Sequence, residues 1–585
     1  MTLGPASILA KINKLTTWQA AIIIAVVGIA VFFIGLNNPF TGDDIPQIVN
    51  NVPVHSITNI LNFFEGSTFY NGKGLAPLEG IYYRPLSTTA FSLLYTIFGL
   101  QPIAFHVFML AIYIANALLL YLVLKYSFKP VMALSLSLIF LVHPLNSQVV
   151  FAIYSMQDAL FLFFGMLAML ILLRYHSVRT LFIVALLLLL SLLSKEAGLL
   201  FVAMAALYLF WFDRKRLVLF IYIMTLPAVL YLALRVNAVG LNRSPSNAPI
   251  ASLSLAGRLL TAPSIMLFYL AKFVFPLQLA SGYYWVYSSF SFVNVLVPLV
   301  IDTAIVGLTV YGAFVFRKRA TKAVFYTYMF FTSWAVIGLL LYLQIIPLDL
   351  TASEQWFYFP MVGILGMFGV ILTVLPLHSL PKWVLPAIGV ILIGALGFRT
   401  GLRGLDWHNE YTLALSDITS STENFGAYNV LSKELINQGR FDQAKEYAER
   451  SITIFPTFTN YINLGIALTD LGDYSGASRA YYEAIKYGNS SLAFEDIAEL
   501  TLVFGEPSID KQFLLQAINR FPQDAKLWMY LAILEDRNED NIDAKVSISK
   551  AASLDQIPQF IYNGIMNNQP FTILLDKSGK SISVQ

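Results

Sequence analysis

The sequence predicts an all-α chain in two parts: a polytopic bundle of membrane helices over residues 1–400, then a solenoid of short helical hairpins over 405–560 with a tail at 561–585. Three observations predict it. Of the 585 residues, 57% are apolar and only 12% charged, against roughly 45–50% and about 25% in soluble domains. The apolar excess lies before residue 400, where stretches such as 18–36 carry no charge at all; about 20 apolar residues in a helix cross a bilayer. After Trp407 the hydrophobic period becomes that of short paired helices.

Eleven spans are expected, near 18–36, 102–124, 130–146, 157–174, 180–194, 196–212, 216–239, 292–316, 324–346, 356–376 and 382–399. The first is too long, and too poorly followed by small residues, for a removed signal peptide, so it reads as a retained anchor. Short-loop cations set the orientation. Lys11 and Lys14, Lys125 and Lys129, Arg174 and Arg179, Arg214–Arg216, Arg317–Arg319 with Lys322, and Lys382 fall on one face, which is then cytoplasmic. Keeping them together requires that segments 84–100 and 258–275 lie in the outer interface as amphipathic helices. The N-terminus is then inside, and the C-terminal domain is extracytoplasmic.

Outer loops follow at 37–101 and 240–291. Of the acids in the membrane half, Asp213 falls on the cytoplasmic side and Asp302 inside a span; Asp43, Asp44, Glu65, Glu79, Asp158, Glu196, Asp349 and Glu354 gather on outer loops. Acids at membrane depth are costly and usually functional, so this ring points to an outward-facing site.

In the second part, Gly439, Phe441 and Ala444 recur 33 residues later as Gly472, Tyr474 and Ala477, and Pro522 follows Pro456 by 66. The period is that of a tetratricopeptide (TPR) unit, about 34 residues. Two further, degenerate hairpins are expected at 492–523 and 526–556. Stacked hairpins leave a concave face for a protein or peptide; the bland alternative is a stabilising cap without a ligand.

Several residues carry candidate chemistry. Asp43 and Asp44 follow the first span, where a carboxylate suits a general base for a hydroxyl or, equally, a helix N-cap. Tyr82-Tyr83-Arg84-Pro85 offers a guanidinium fork for phosphate, or an interfacial anchor. His143-Pro144 and Gln157-Asp158 flank the next outer loop, where a lone His is more often structural and an Asp at a helix start more often a cap. Lys195 and Glu196 pair with each other or serve a lipid phosphate. Glu354 opens the tenth span beside the belt aromatics Trp356 and Tyr358. Net charge is +3 with no basic run, which does not point to nucleic acid. With no cysteine, disulfides, thiolate nucleophiles and Cys-bound metals are excluded. No Walker loop, dinucleotide fingerprint, serine triad or HExxH motif is present.

The ordered series Gly42-Asp43-Asp44, Tyr83-Arg84-Pro85-Leu86, His106 with Asn116, His143-Pro144, Asp158, Ser194-Lys195-Glu196, Glu354 with Tyr358 and Pro360, Trp407 and then TPRs resembles the transmembrane-and-TPR (TMTC-like) proteins, relatives of the protein O-mannosyltransferases in the GT-C superfamily. The resemblance covers nearly the whole chain. It implies a GT-C-like bundle of about eleven helices and an integral-membrane glycosyltransferase that takes sugar from a polyprenyl-phosphate carrier on the outer face. It implies Asp44 as the base, with Asp43 second. Arg84, Lys195 and Lys272 would bind the carrier phosphate; Tyr83, His143, Asp158, Glu196, Glu354 and Tyr358 would bind substrate. No cofactor or metal beyond the co-substrate is expected. The partners are the lipid-linked donor and a protein or glycan acceptor presented by the TPRs, with no nucleic acid.

The sequence departs from that family where relatives read Gly-Arg-x-Asp, here Ser155-Met156-Gln157-Asp158, and where they read Glu-Arg, here Glu354-Gln355. Arg84, Lys195, Arg258 and Lys272 remain as cations. The departures leave open an altered donor geometry or a member without activity. Two other readings stand beside transfer: a non-catalytic TPR scaffold for envelope assembly, and a lipid-linked-glycan transporter or ligase. The latter would show paired interrupted helices in two related halves, which the sequence lacks.

Overall fold

The computed structural model describes residues 15–68, 82–240, 248–375, 381, 383–504, 511–571, 574–575 and 582–583. Lys11, Lys14, Glu79 and Lys382 lie outside these. The chain divides into two compact units, Met1–Ser421 and Thr422–Gln585.

Among the described residues the first unit is mainly helical. Its helices are α1 (Thr17–Phe32), α2 (Pro85–Phe98), α3 (Pro102–Leu124), α4 (Pro130–Val142), α5 (Met156–Arg174), α6 (Val178–Ser194) and α7 (Leu199–Phe212). They continue with α8 (Arg214–Val239), α9 (Leu255–Val274), α10 (Val297–Arg319), α11 (Lys322–Leu341), α12 (Tyr358–Val374), α13 (Val384–Asp406) and α14 (Glu410–Ser420). Proline opens α2, α3 and α4 within their first turn, where its missing N–H costs no helical bond.

Among the described residues nine helices are long and apolar enough to cross a membrane. Eight of them coincide with expected spans. The expected span 130–146 is instead α4 and the short turn Pro144–Phe151, bent by 57° at His143-Pro144, because the residue before proline is pushed out of the helical region. The expected spans 180–194 and 196–212 are shorter apolar helices. α2 has only 14 residues.

The ninth long helix is α9, for which the loop charges required a place in the interface. Length and composition alone allow it to cross. Its contacts run otherwise. At its start Arg258 donates to the carbonyl oxygens of Gln344 and Ile345; midway Tyr269 donates to Ser353 O at 3.1 Å; at its end His143 Nε2 meets Phe273 O at 3.0 Å. Gln344 and Ser353 belong to the α11–α12 connection, and the turn after His143 packs on the turn before α12. Both ends of α9 therefore touch the same end of the bundle.

The core holds interleaved aromatics. Tyr113, Phe140 and Tyr358 stack with centroids 5.0–6.3 Å apart, spacings at which aromatic pairs attract. α11 and α12 approach closely at Gly363, where an added Cβ would lie 2.3 Å from Ala335 N and 2.7 Å from Phe331 O. Large apolar side chains such as Val229, Leu308 and Val390 stay exposed on α8, α10 and α13, as expected for helices solvated by lipid.

The second unit continues with α15 (Phe425–Asn437), α16 (Phe441–Ile454), α17 (Phe458–Asp470), α18 (Tyr474–Tyr487), α19 (Leu492–Phe504), α20 (Lys511–Arg520), α21 (Ala525–Arg537), α22 (Asn541–Leu554) and α23 (Gln559–Asn567). The four hairpins fall where the period placed them. Gly439 and Gly472 turn the first two at φ 71° and 80°, a region open to glycine at little cost, and Ala444 and Ala477 are fully buried at the helix crossings. In the tail, Leu574–Leu575 pairs with Ile582–Ser583.

Gly363→Val should lower stability by about 3 kcal/mol through overpacking against backbone. Gly389→Val, whose Cβ meets nothing within 4 Å, should change it little. Thermal unfolding of both variants in detergent reads the difference.

Candidate functional site

α1 ends at Phe32, and the chain turns through residues 33–44 to present two adjacent acids. Their environments differ. Asp44 is fully buried. One oxygen accepts Thr41 N–H at 3.0 Å and the other accepts Tyr154 N–H at 2.6 Å. Burial pushes it up to about 8, against the pull of those two donors toward the carboxylate. Asp43 is exposed. Desolvation by the surrounding protein and the charge of Asp349 raise it to about 6, and Arg84 opposes them. Asp44, expected as the base, thus has both oxygens on backbone N–H groups, and Asp43, expected second, has the exposed carboxylate.

Around Asp43 charges alternate. Tyr82 Oη donates to Asp349 Oδ2 at 2.7 Å. The Arg84 guanidinium lies 4.2 Å from the Tyr82 ring centroid and gives its Nε to Glu196 Oε2 at 3.1 Å. Glu196 also accepts Tyr83 N–H at 3.1 Å. Next to it on the chain, Lys195 Nζ pairs with Asp158 Oδ1 at 2.6 Å, both side chains buried. Lys195, expected on the carrier phosphate, is paired here with Asp158, and Glu196 and Asp158, expected on substrate, are paired with Arg84 and Lys195. Arg84 keeps its two Nη atoms without a hydrogen-bond partner among the described residues.

A second charge group stands apart, with Arg403, Glu354 and Asp417 buried and Asp406 half-buried. Arg403 Nη2 lies 3.7 Å from Glu354 Oε1 and 3.6 Å from Asp417 Oδ1, while its Nη1 reaches Asp406 at 3.0 Å. Asp417 also accepts the N–H and hydroxyl of Ser281. Glu354, expected to touch substrate, thus faces Arg403 with no exposed surface.

Other expected ligands are absorbed by packing. Tyr83 is buried and donates to Phe64 O at 3.1 Å. His143 uses both ring nitrogens on backbone, Leu145 N and Phe273 O, and stacks on Phe273. Tyr358 sits in the aromatic core and accepts from Asn116 Nδ2 at 3.1 Å. His106 meets Asn38 O at 3.1 Å. Lys272 binds the Gln278 carbonyl, and Arg258 caps three carbonyls. The two departures from the family pattern touch one another: Ser155 Oγ donates to Gln355 Oε1 at 2.7 Å.

Sequence reasoning assigned no role to Arg403 or Asp417, and placed Asp349 only in the outer ring of acids and Tyr82 only as an interfacial anchor. Arg403 carried a signal, since a cation within an apolar helix needs a partner. Asp417 carried none, because it follows the last apolar helix.

Residues 425–458 match the tetratricopeptide repeat family. The protein O-mannosyl-transferase Tmtc3 of Drosophila melanogaster is 27% identical over 141 residues, 24% of this chain and 15% of that protein. The protein O-mannosyl-transferase F38B6.6 of Caenorhabditis elegans is 24% identical over 436 residues, 72% of this chain and 61% of that protein. The chain thus spans less than two thirds of the length of either relative. The crystal structure of ArnT from Cupriavidus metallidurans bound to undecaprenyl phosphate aligns over 79% of each chain, with a TM-score of 0.39 and 10% identity.

Asp44→Asn places an amide N–H against a backbone N–H, so it should cost about 1–3 kcal/mol, read as a lower unfolding temperature. Arg403→Met should cost about 3–5 kcal/mol by stranding buried carboxylates, with part recovered in Arg403→Met plus Glu354→Gln, measured by the same melting series. The resemblance expected from the motif series holds in these comparisons: the chain is similar to the transmembrane-and-TPR proteins of TMTC type, and its C-terminal unit contains a tetratricopeptide repeat.

Proposed function

We propose that this chain is an integral-membrane glycosyltransferase that moves a sugar from a polyprenyl-phosphate carrier to a hydroxyl of a protein or glycan acceptor. The observation that carries the reading is Asp43, an accessible carboxylate raised to about 6, beside Arg84 and backed by the buried Asp44. The relatives' names, which specify O-mannosyl transfer to protein, support the same class.

Asp43 takes the proton of the acceptor hydroxyl as its oxygen bonds to the anomeric carbon. The bond from that carbon to the carrier phosphate breaks, and the phosphate leaves with the electron pair. Arg84 meets the departing charge with its Nη atoms while Glu196 holds its Nε. Charge stabilisation of this kind counts for most where water is scarce. Lys195 and Asp158 act from behind, as a pair that keeps Glu196 and Arg84 in place. The loop cations put this face outside the cell membrane, and the TPR unit presents the acceptor.

The neutralisation of Lys195 by Asp158 and of Arg84 by Glu196 favours a second reading, a non-catalytic TPR scaffold. Transfer by purified protein from radiolabelled polyprenyl-phosphate sugars to a membrane extract separates the two. In the first reading Asp43→Asn lowers transfer about 10²–10⁴-fold without changing the melting temperature. Failure of folded protein to turn over hexose, aminosugar and pentose donors leaves the scaffold. Because Asp43 must be ionised to act as base, kcat/KM should rise with pH through about 6 and level above it. A flat profile in that range removes Asp43 from the role.

A further inference from the structure

On the first hairpin of the C-terminal unit, Tyr428 of α15 and Glu446, Tyr447, Glu449, Arg450 and Thr453 of α16 line a solvent-open depression of about 420 Å³. Residues 446, 449, 450 and 453 share one face of α16, because helix neighbours lie three and four apart. The Tyr428 and Tyr447 rings are half-buried, with centroids 6.1 Å apart and planes 31° off parallel. The Arg450 guanidinium lies 5.9 Å from the Tyr428 ring. Glu446, Glu449, Arg450 and Thr453 are exposed around the rings.

This combination selects a ligand. Two tilted aromatic faces make a platform for an apolar C–H surface, at little entropy because each ring has two torsions. Two carboxylates and a planar guanidinium beside it accept and donate in pairs, matching adjacent hydroxyls. With two acids against one base, nothing here attracts an anion. An extended peptide needs either a free sheet edge or a groove running along several elements; this cleft belongs to one hairpin, and its volume suits a small ligand. A pyranose ring has an apolar C–H face and a rim of neighbouring hydroxyls.

We propose that the cleft binds a neutral pyranose unit of a glycan, stacked on Tyr428 and Tyr447 and hydrogen-bonded by Glu446, Glu449 and Arg450. The inference does not rest on the transfer reading, since a scaffold could carry the same cleft.

The test is saturation-transfer NMR on the full chain in lipid nanodiscs, with methyl glycosides of mannose, glucose, galactose and N-acetylglucosamine as probes and a Ser/Thr-rich peptide as competitor. The expected result is saturation of ring C–H protons of at least one glycoside. Tyr447→Ala should weaken that signal about tenfold, Glu449→Gln should weaken it severalfold, and Tyr447→Phe, which keeps the ring and so the hairpin packing, should retain it. Ile542→Ser, on the 82%-exposed residue of α22, should leave it unchanged. The inference is overturned if no glycoside receives saturation, if Tyr447→Ala binds as well as the parent, or if only the peptide binds.

Discussion

Everything at the loop end of the membrane unit depends on one carboxylate accepting two backbone N–H groups from distant parts of the chain. Asp44 takes Thr41 N–H within its own turn and Tyr154 N–H from the segment before α5. Out of water such bonds are strong, and an unmade one is costly. The turn after α1 is thereby tied to α5, and Asp43, next in line, is aimed outward. Two adjacent acids acquire opposite environments because only one can face the backbone donors.

The same economy of partners governs the other charges. Lys195 with Asp158, Arg84 with Glu196, and Arg403 with Glu354 and Asp417 each join different segments of the chain. A buried charge without its counter-ion would cost several kcal/mol, so each pairing also locks the relative depth of two helices. Between these pairs the aromatic stack of Tyr113, Phe140 and Tyr358 provides a close-packed floor. The helix α9 lies across that end, fastened from Arg258 to Phe273.

The C-terminal unit follows a different physics. Its helices have 9–14 residues, too short to persist alone in water, and are stable only because each hairpin buries its inner stripe against the next. Its polar faces are left to solvent, and the cleft between Tyr428 and Tyr447 opens where two such faces meet.

Much of this was legible beforehand. The apolar stretches located most of the membrane helices, and the 33-residue offsets located the hairpins. Asp43, Asp158 and Glu196 were marked as acids on outer loops, and Arg84 and Lys195 as cations suited to a phosphate. Their pairing was not. Tyr83, His143 and Tyr358 were expected on substrate by the resemblance; each is buried, with Tyr83 and His143 bonded to backbone and Tyr358 to Asn116.

By itself the sequence determined which segments are helical, which are apolar enough for lipid, and which charges needed partners, because these follow from composition and period along the chain. Only the tertiary structure decided who the partners are: that Tyr154 N–H occupies Asp44, that Asp158 neutralises Lys195, that Asp417 reaches Arg403. Ion pairs and hydrogen bonds act over a few ångströms in space, and the distance in sequence between their members carries no trace of them.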